Sequence, residues 1–262
     1  MKILCIGDVC GSAGCSMFED TALSLKRELS ADLIIVNGEN SADGNGIIPH
    51  SAKRLFNGGA DIITGGNHTL RRFEIHPELE ENFRLLRPHN FPENAPGSGY
   101  ALIDCGRFSV AVINLLGTVY MDSNSCPFVC ADTLISRAKK DGARIIIVDF
   151  HAEATSEKRA MGFYLDGRVT AVLGTHTHVQ TADEQLLPNG TAYITDIGMT
   201  GPVQSVLGVK YEASLARIKD KMPARFVIAE GQCYLNGVLL EIDDKTGAAI
   251  SIKRITKFQK EH

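Results

Sequence analysis

Five short apolar runs, at residues 3–7, 33–36, 62–64, 145–148 and 169–173, each stop at a cluster of polar residues. Runs of this length without alternation read as strands buried on both faces, the pattern of a sheet covered by other layers. The polar clusters that end them are Asp8, Glu39-Asn40, Asn67-His68, His151 and His176-Thr177-His178. Between the first runs, Phe18, Ala22, Leu25 and Leu29 recur at helical spacing, and a second helix is predicted over 49–56 with Pro49 at its start, where no amide donor is missed. From Tyr100 the pattern changes. Residues 100–104 and 108–116, separated by Cys105-Gly106-Arg107, read as an antiparallel hairpin. The 225–255 tail alternates polar and apolar residues around Asn236-Gly237 and Lys245-Thr246-Gly247, which predicts further hairpins. Mixed strands with interspersed helices, and no linker, repeat or low-complexity stretch, predict one layered α/β domain over residues 1–262.

Composition narrows the function classes. The 262 residues are 44% hydrophobic and 22% charged, which excludes a disordered chain. With 27 basic and 31 acidic residues the net charge is −4, so an extended nucleic-acid surface is not expected. No apolar run approaches the ~18–20 residues that cross a bilayer, and the N-terminus reaches Asp8 too soon for a signal peptide. A soluble cytoplasmic protein without a membrane partner is expected. The seven cysteines (Cys5, Cys10, Cys15, Cys105, Cys126, Cys130 and Cys233) are an odd set with no CxxC pair, which predicts reduced, structural thiols. Cys126 and Cys130 are one helical turn apart but lack further ligands nearby, so zinc is not expected there.

In α/β sheets, ligands collect at the carboxyl ends of strands, and the groups that recur at those ends here are carboxylate, carboxamide and imidazole. These are hard or borderline metal ligands. Both histidines of the His176-x-His178 pair would face one side of an extended segment, towards one centre or two neighbouring ones. His151 follows a buried strand directly and precedes Glu153, which either orients it or lies at the surface. Asp8, Glu39, Asn40, Asn67, His151, His176 and His178 are seven candidate ligands, too many for one four-coordinate ion. They suit two metal ions sharing a carboxylate. Only Asp8 and Glu39 are anionic, so such a centre stays positive and attracts an anionic substrate, with phosphate esters fitting best.

The order of these segments resembles the calcineurin-like metallophosphoesterase superfamily and, over nearly the whole chain, the YmdB-like family of bacterial cyclic-nucleotide phosphodiesterases. The likeness lies in Gly7-Asp8-Val9-Cys10-Gly11, Gly38-Glu39-Asn40-Ser41-Ala42-Asp43-Gly44, Gly66-Asn67-His68-Thr69 and the run from Asp149 to Lys158. It continues in GTHTHVQTAD from Gly174 and TDIGMTGP from Thr195. The resemblance implies a four-layer α/β sandwich of mixed sheets flanked by helices. It implies that Asp8, Glu39, Asn40 and His178 hold one metal and Glu39, Asn67, His151 and His176 the other, with His68 as catalytic acid. Position 10 is Cys10 where the superfamily usually has histidine, and Asn40 supplies a neutral ligand instead. Such a set favours iron or manganese over zinc. The implied activity is hydrolysis of a phosphodiester, a 2′,3′-cyclic nucleotide, by a metal-bridging hydroxide, with His68 protonating the departing ribose oxygen. Leu70-Arg71 stands where the family tends to have Trp-Asp, and Val203-Gln204 where it tends to have an aromatic and an acid. Both departures concern the rim of the pocket, the preference for substrate and the contacts of a homo-oligomer, not the ligands.

Other readings stay open at this point. A phosphomonoesterase or 5′-nucleotidase could use the same metals, and a regulatory nucleotide-binding protein could carry slow catalysis incidentally. Gly7, Gly11 and Gly14 do not match GxGxxG, and no Lys-Ser/Thr follows, so tight turns are expected rather than a phosphate loop. His50, His76, His89 and His262 are expected at the surface, and Lys253-Arg254 with the 257–260 tail reads as a solvated charge run.

Overall fold

The computed structural model describes residues 1–106, 108–122 and 125–260; Arg107 of the predicted turn and His262 lie outside them. The first run forms β1 (Lys2–Ile6), followed by the two-residue β2 (Asp8–Val9), α1 (Gly11–Leu29), β3 (Leu33–Asn37), α2 (Pro49–Asn57), β4 (Ile62–Thr64) and α3 (His76–Glu81). The middle of the chain supplies β5 (Tyr100–Asp104), β6 (Ser109–Leu116), α4 (Pro127–Lys140), β7 (Ala143–His151), α5 (Thr155–Leu165), β8 (Ala171–Thr175), β9 (Gln185–Leu186) and β10 (Ala192–Ile194). The last part adds β11 (Met199–Pro202), α6 (Tyr211–Ile218), β12 (Cys233–Ile242) and β13 (Ala249–Phe258).

The strands form two mixed sheets. The first runs β2-β11-β12-β1-β3-β4, with β13 also on β12; the second runs β5-β6-β7-β8-β10-β9. Strands β1, β3 and β4 are parallel, as are β6, β7, β8 and β10, so their carboxyl ends gather at one edge of each sheet. Side chains alternate between the faces of each strand. Ile3 and Cys5 of β1 therefore point between the sheets, where they join Ile35, Val112, Ile147, Leu173 and Val238. Leu4 and Ile6 face the other way, against Phe18 and Leu25 of α1 and Leu55 of α2. On the far side Ile113 and Val148 pack against Leu134 of α4 and Met161 and Leu165 of α5. The result is helix, sheet, sheet, helix. Each fully buried Leu, Ile or Phe in these layers contributes roughly 1.5–3 kcal/mol.

Local chemistry sets the element ends. Pro49 opens α2, and Ser51 Oγ accepts the Ile48 N–H at 3.1 Å. Lys26 and Arg27 occupy the last turn of α1, where they meet the negative end of the helix dipole, and Ser30 closes it in the left-handed conformation.

Two sequence expectations change. Asn236-Gly237 is no turn: both lie inside β12, and the hairpin to β13 closes near Lys245-Thr246-Gly247 instead. Gly237 is needed because β1 approaches so closely; a Cβ there would lie 2.3 Å from the Cys5 carbonyl oxygen. Among the four histidines expected at the surface, His50 is exposed, but His76 and His89 are half-buried. His76 packs edge-on against Phe73, and burial pushes the His89 imidazole below its usual pKa, with Arg87 adding to the effect. The basic tail is solvated as expected, with Lys253 and Arg254 exposed, and it makes surface ion pairs from Arg254 to Glu184 at 2.8 Å and from Lys257 to Glu28 at 2.9 Å. All seven cysteines are free, and no helix among the described residues is long and apolar enough to cross a membrane.

Candidate metal centre

The carboxyl ends of β3, β4, β7 and β8, with β2 beside them, converge where the two sheets meet. All seven sequence-predicted ligands and His68 lie in one network there. His151 Nε2 lies 3.1 Å from Asn67 Oδ1, 3.3 Å from Glu39 Oε1 and 3.0 Å from His176 Nδ1. His178 Nε2 lies 3.2 Å from Asn40 Nδ2 and 3.9 Å from Asp8 Oδ1. Glu39 Oε1 stands between these groups, 2.9 Å from Asn40 Nδ2. His68 sits at the edge, with its Nδ1 2.8 Å from Asn40 Oδ1 and its backbone N–H donating to Glu39 Oε2 at 2.8 Å.

The imidazole protons can be assigned from the other ring nitrogens. Thr175 Oγ1 donates to Asp149 Oδ1 at 2.6 Å, so it accepts from His151 Nδ1 at 2.9 Å. His176 Nε2 donates to Glu153 Oε2 at 3.0 Å, and His178 Nδ1 to the Leu207 carbonyl at 3.1 Å. Each ring then turns a lone pair into the cluster, the usual arrangement of a metal-binding histidine. Two imidazole lone pairs 3.0 Å apart beside a carboxylate repel unless a positive charge stands among them.

The cluster fits a cation in three further respects. Asp8 Oδ1 is buried with no hydrogen-bond partner among the described residues. Gly66 leaves the cradle open, since a Cβ there would lie 2.3 Å from His151 Nε2 and 2.4 Å from Glu39 Oε2. Glu39, His151 and His176 also bring three potential ligand atoms within 4.8 Å of one another. At the other group, the Asn40 NH2 presents to Glu39 and His178 the partial positive charge that an ion would supply.

The same crowding perturbs the titrating groups. Burial pushes Asp8 up to about 6 against the pull of His151 and His178. Burial also opposes ionisation of Glu39, but His151 and His68 outweigh it and hold the carboxyl well below its usual range. For His151 burial is overcome by Glu39 and Asp8, raising its pKa, whereas burial and the neighbouring His151 push His176 down to about 3. His68 is lowered by burial, with Glu39 opposing and Arg71 adding to the shift.

Two expectations are revised. The His-x-His pair does not converge through strand alternation, because β8 stops at Thr175. His176 has φ 101° and His178 φ 64°, a backbone region that costs non-glycine residues about 1–3 kcal/mol each. The turn is pinned by Asp196, whose Oδ2 accepts from Thr177 N–H at 3.0 Å, Thr177 Oγ1 at 2.8 Å and buried Lys158 Nζ at 2.8 Å. Glu153 lies at the surface, as one of its two readings had it, and from there meets His176 rather than His151. The role expected of it at His151 belongs to Asp149, which acts through Thr175 and also accepts from Thr64 Oγ1 at 2.5 Å and Asn37 Nδ2 at 3.2 Å. Alternation along β7 offered a signal for Asp149, since it shares a face with His151 two residues on. Lys158 and Asp196 fall inside segments that carry the family likeness, but nothing in their local spacing announces that they pair.

Comparison with known proteins places this arrangement. The family model described as YmdB-like protein matches residues 4–255. A 2′,3′-cyclic-nucleotide 2′-phosphodiesterase of Bacillus subtilis (strain 168) is 48% identical over 255 residues, covering 97% of this chain and 96% of the relative. The crystal structure of a hypothetical protein from Thermus thermophilus superposes with a TM-score of 0.93 at 36% identity, covering 99% of this chain and 100% of that one. The calcineurin-like phosphoesterase YfkN from Bacillus subtilis shares the fold alone, with a TM-score of 0.52 at 11% identity over 98% of this chain and 90% of that one. With a family match spanning nearly all of its length, the chain belongs to the YmdB-like family.

Proposed function

We propose that the chain is a cytoplasmic two-metal phosphodiesterase acting on cyclic nucleotides, 2′,3′-cyclic ones in particular, with residues 1–262 forming one metallophosphoesterase domain. The observation that carries this reading is the convergence of ring lone pairs and carboxylates on both sides of Glu39 Oε1. The B. subtilis relative's activity supports the choice of substrate. Asp8, Glu39, Asn40 and His178 would hold one ion and Glu39, Asn67, His151 and His176 the other, with Glu39 shared. A ligand set of oxygen and imidazole donors without thiolate suits iron or manganese. When bound, the ions supply Lewis acidity, which polarises a phosphoryl oxygen and makes water acidic enough to ionise near neutral pH.

The protein's own groups do the rest. His151, His176 and His178 keep their lone pairs inward because Thr175, Glu153 and the Leu207 carbonyl hold the opposite nitrogens. The Asn67 amide fixes the edge where phosphate oxygens would lie. Burial lowers the pKa of His68 when the cleft is empty. An arriving phosphate anion favours its protonated form, and Nε2, the nitrogen not engaged by Asn40, then donates to the departing ribose oxygen.

The test is metal analysis of freshly purified protein beside a panel of bis(p-nitrophenyl) phosphate, cyclic nucleotides and phosphomonoesters with Mn2+ or Fe2+. Two ions per chain and preferential turnover of 2′,3′-cyclic nucleotides are expected. Preference for monoesters would replace this reading with a phosphomonoesterase. Tight nucleotide binding with turnover indifferent to metal would replace it with a regulatory protein.

A further inference from the structure

Two cavities adjoin at the candidate centre. The cleft over Glu39, Asn40 and His176 measures about 250 Å3, and a second cavity of about 310 Å3 lies beside it. Both are lined by His178 and Leu207, so these two residues form the wall between them. Leu207 holds that position in a left-handed conformation (φ 55°), with its carbonyl bound to His178 Nδ1.

The lining of the second cavity differs in kind. The first contains Glu39 and Glu153, whereas among the described residues no Asp, Glu, Lys or Arg side chain lines the second. It presents instead the half-buried Tyr234 ring, which rests edge-on against Phe258 at 6.3 Å, and a group of amides. Gln180 Nε2 is fixed among backbone carbonyls, 2.9 Å from that of Gly237. Its Oε1 has only a long contact of 3.4 Å from Thr256 Oγ1. The Thr256 hydroxyl is better placed for Asn236 Oδ1, at 3.0 Å. This leaves an acceptor on Gln180 and the Asn236 Nδ2 donor without strong partners among the described residues, although Asn236 is only 7% exposed. The Tyr234 hydroxyl also has no hydrogen-bond partner among them.

A cavity without carboxylate, lysine or arginine groups, with an aromatic wall and a fixed amide donor and acceptor, complements a flat heterocycle with a hydrogen-bonding edge. We infer that this cavity is a nucleobase subsite, with Tyr234 packing against the base and Asn236 and Gln180 meeting its edge while the phosphate occupies the neighbouring cleft. The ribose would then cross the wall formed by His178 and Leu207. This inference rests on the cyclic-nucleotide reading above and adds where specificity for the base arises.

The test compares kcat/KM for adenosine 2′,3′-cyclic phosphate with that for ribose 2′,3′-cyclic phosphate, which lacks the base. Wild-type protein should prefer the nucleotide about ten-fold or more, as base stacking predicts. Tyr234→Ala should reduce that ratio about ten-fold, chiefly through KM, and Tyr234→Phe should restore most of it. Asn236→Ala should also reduce it. Both substrates are measured on one preparation, so any unfolded fraction cancels in the ratio. Equal use of the two substrates by wild-type protein, which requires no variant, would overturn the subsite alone, as would a ratio unmoved in both alanine variants. Cleavage of bis(p-nitrophenyl) phosphate but of neither cyclic substrate would overturn the cyclic-nucleotide reading and the subsite with it.

Discussion

The first sheet brings carboxylates and carboxamides to the cluster: Asp8 in β2, Glu39 and Asn40 beyond β3, and Asn67 beyond β4. The second sheet brings imidazoles, His151 at the end of β7 and His176 and His178 beyond β8. Their supports differ as well. Glu39 is held by neutral groups of its own sheet, its Oε2 accepting the His68 backbone N–H, its Oε1 accepting from Asn40 Nδ2 and its own N–H donating to Asn37 Oδ1 at 3.1 Å. The imidazoles stand on buried charge, with Asp149 beneath His151 and the Lys158–Asp196 pair beneath the His176–His178 turn. One sheet thus supplies anionic charge and the other supplies orientation. Neither alone makes a site for a cation.

If that division holds, the largest effect comes from the group between the two halves. Glu39→Gln should lower metal content at both positions and reduce turnover by roughly 10³-fold, the scale of a lost charge partner in a metal site. Two metals per chain and full activity in this variant, by elemental analysis and kinetics, would break the comparison at its centre. Next in size, His151→Ala and His176→Ala should weaken one ion, and Asp8→Ala and His178→Ala the other. Anomalous scattering would show which position empties, and loss of the Asp8 position in His151→Ala would reverse the assignment.

His68 comes from the first sheet yet lies at the edge, so its replacement separates chemistry from binding. His68→Ala should retain near-normal metal while turnover of a cyclic nucleotide falls on the order of 10²-fold. Nitrophenyl esters should lose less, because nitrophenolate leaves without a proton; equal losses on both substrates would argue that His68 only supports the loop. The smallest effect sharpens the view of the second sheet. Asp149→Asn keeps the volume but weakens the acceptor that orients Thr175 and, through it, His151. A loss of about ten-fold in affinity for the His151-side ion is expected from such indirect support, with the Asp8-side ion little changed. Competition with a chelator would measure it, and equal weakening of both ions would show that Asp149 supports the fold in general.

The sequence made the candidate ligands easier to read than their supports. Parallel strands buried on both faces announce themselves as apolar runs, and their ends are where polar residues must appear, so Asp8, Glu39, Asn67 and His151 stood out. Supports are harder because their partners are distant in the chain: Asp149 meets Thr64 and Asn37, and Lys158 meets Asp196. A charged residue next to an apolar run reads as its boundary when its compensating groups cannot be seen. Asn236-Gly237 misled for a related reason. Local turn chemistry favours a hairpin there, but close packing against Cys5 makes the glycine a strand residue. The His-x-His pair was found for a reason that proved wrong, since strained turn backbone, not strand alternation, aims the rings.

The way the first sheet is closed governs the order in which the chain can fold as it is made. β12 lies along β1 from Lys2↔Glu241 to Ile6↔Gly237, and the Met1 ammonium reaches the Ile242 carbonyl at 3.0 Å. The second sheet, by contrast, is built wholly from residues 100–194 and can pair as those residues emerge. Pairings between residues more than 200 positions apart are slow, because a large loop must close before any contact rewards it. On the ribosome, every proposed ligand has therefore been synthesised by His178 while β1 still lacks its central neighbour. A nascent chain halted before Cys233 would hold the complete ligand set and half of a finished frame, and metal capture should become firm only when the last hairpin arrives.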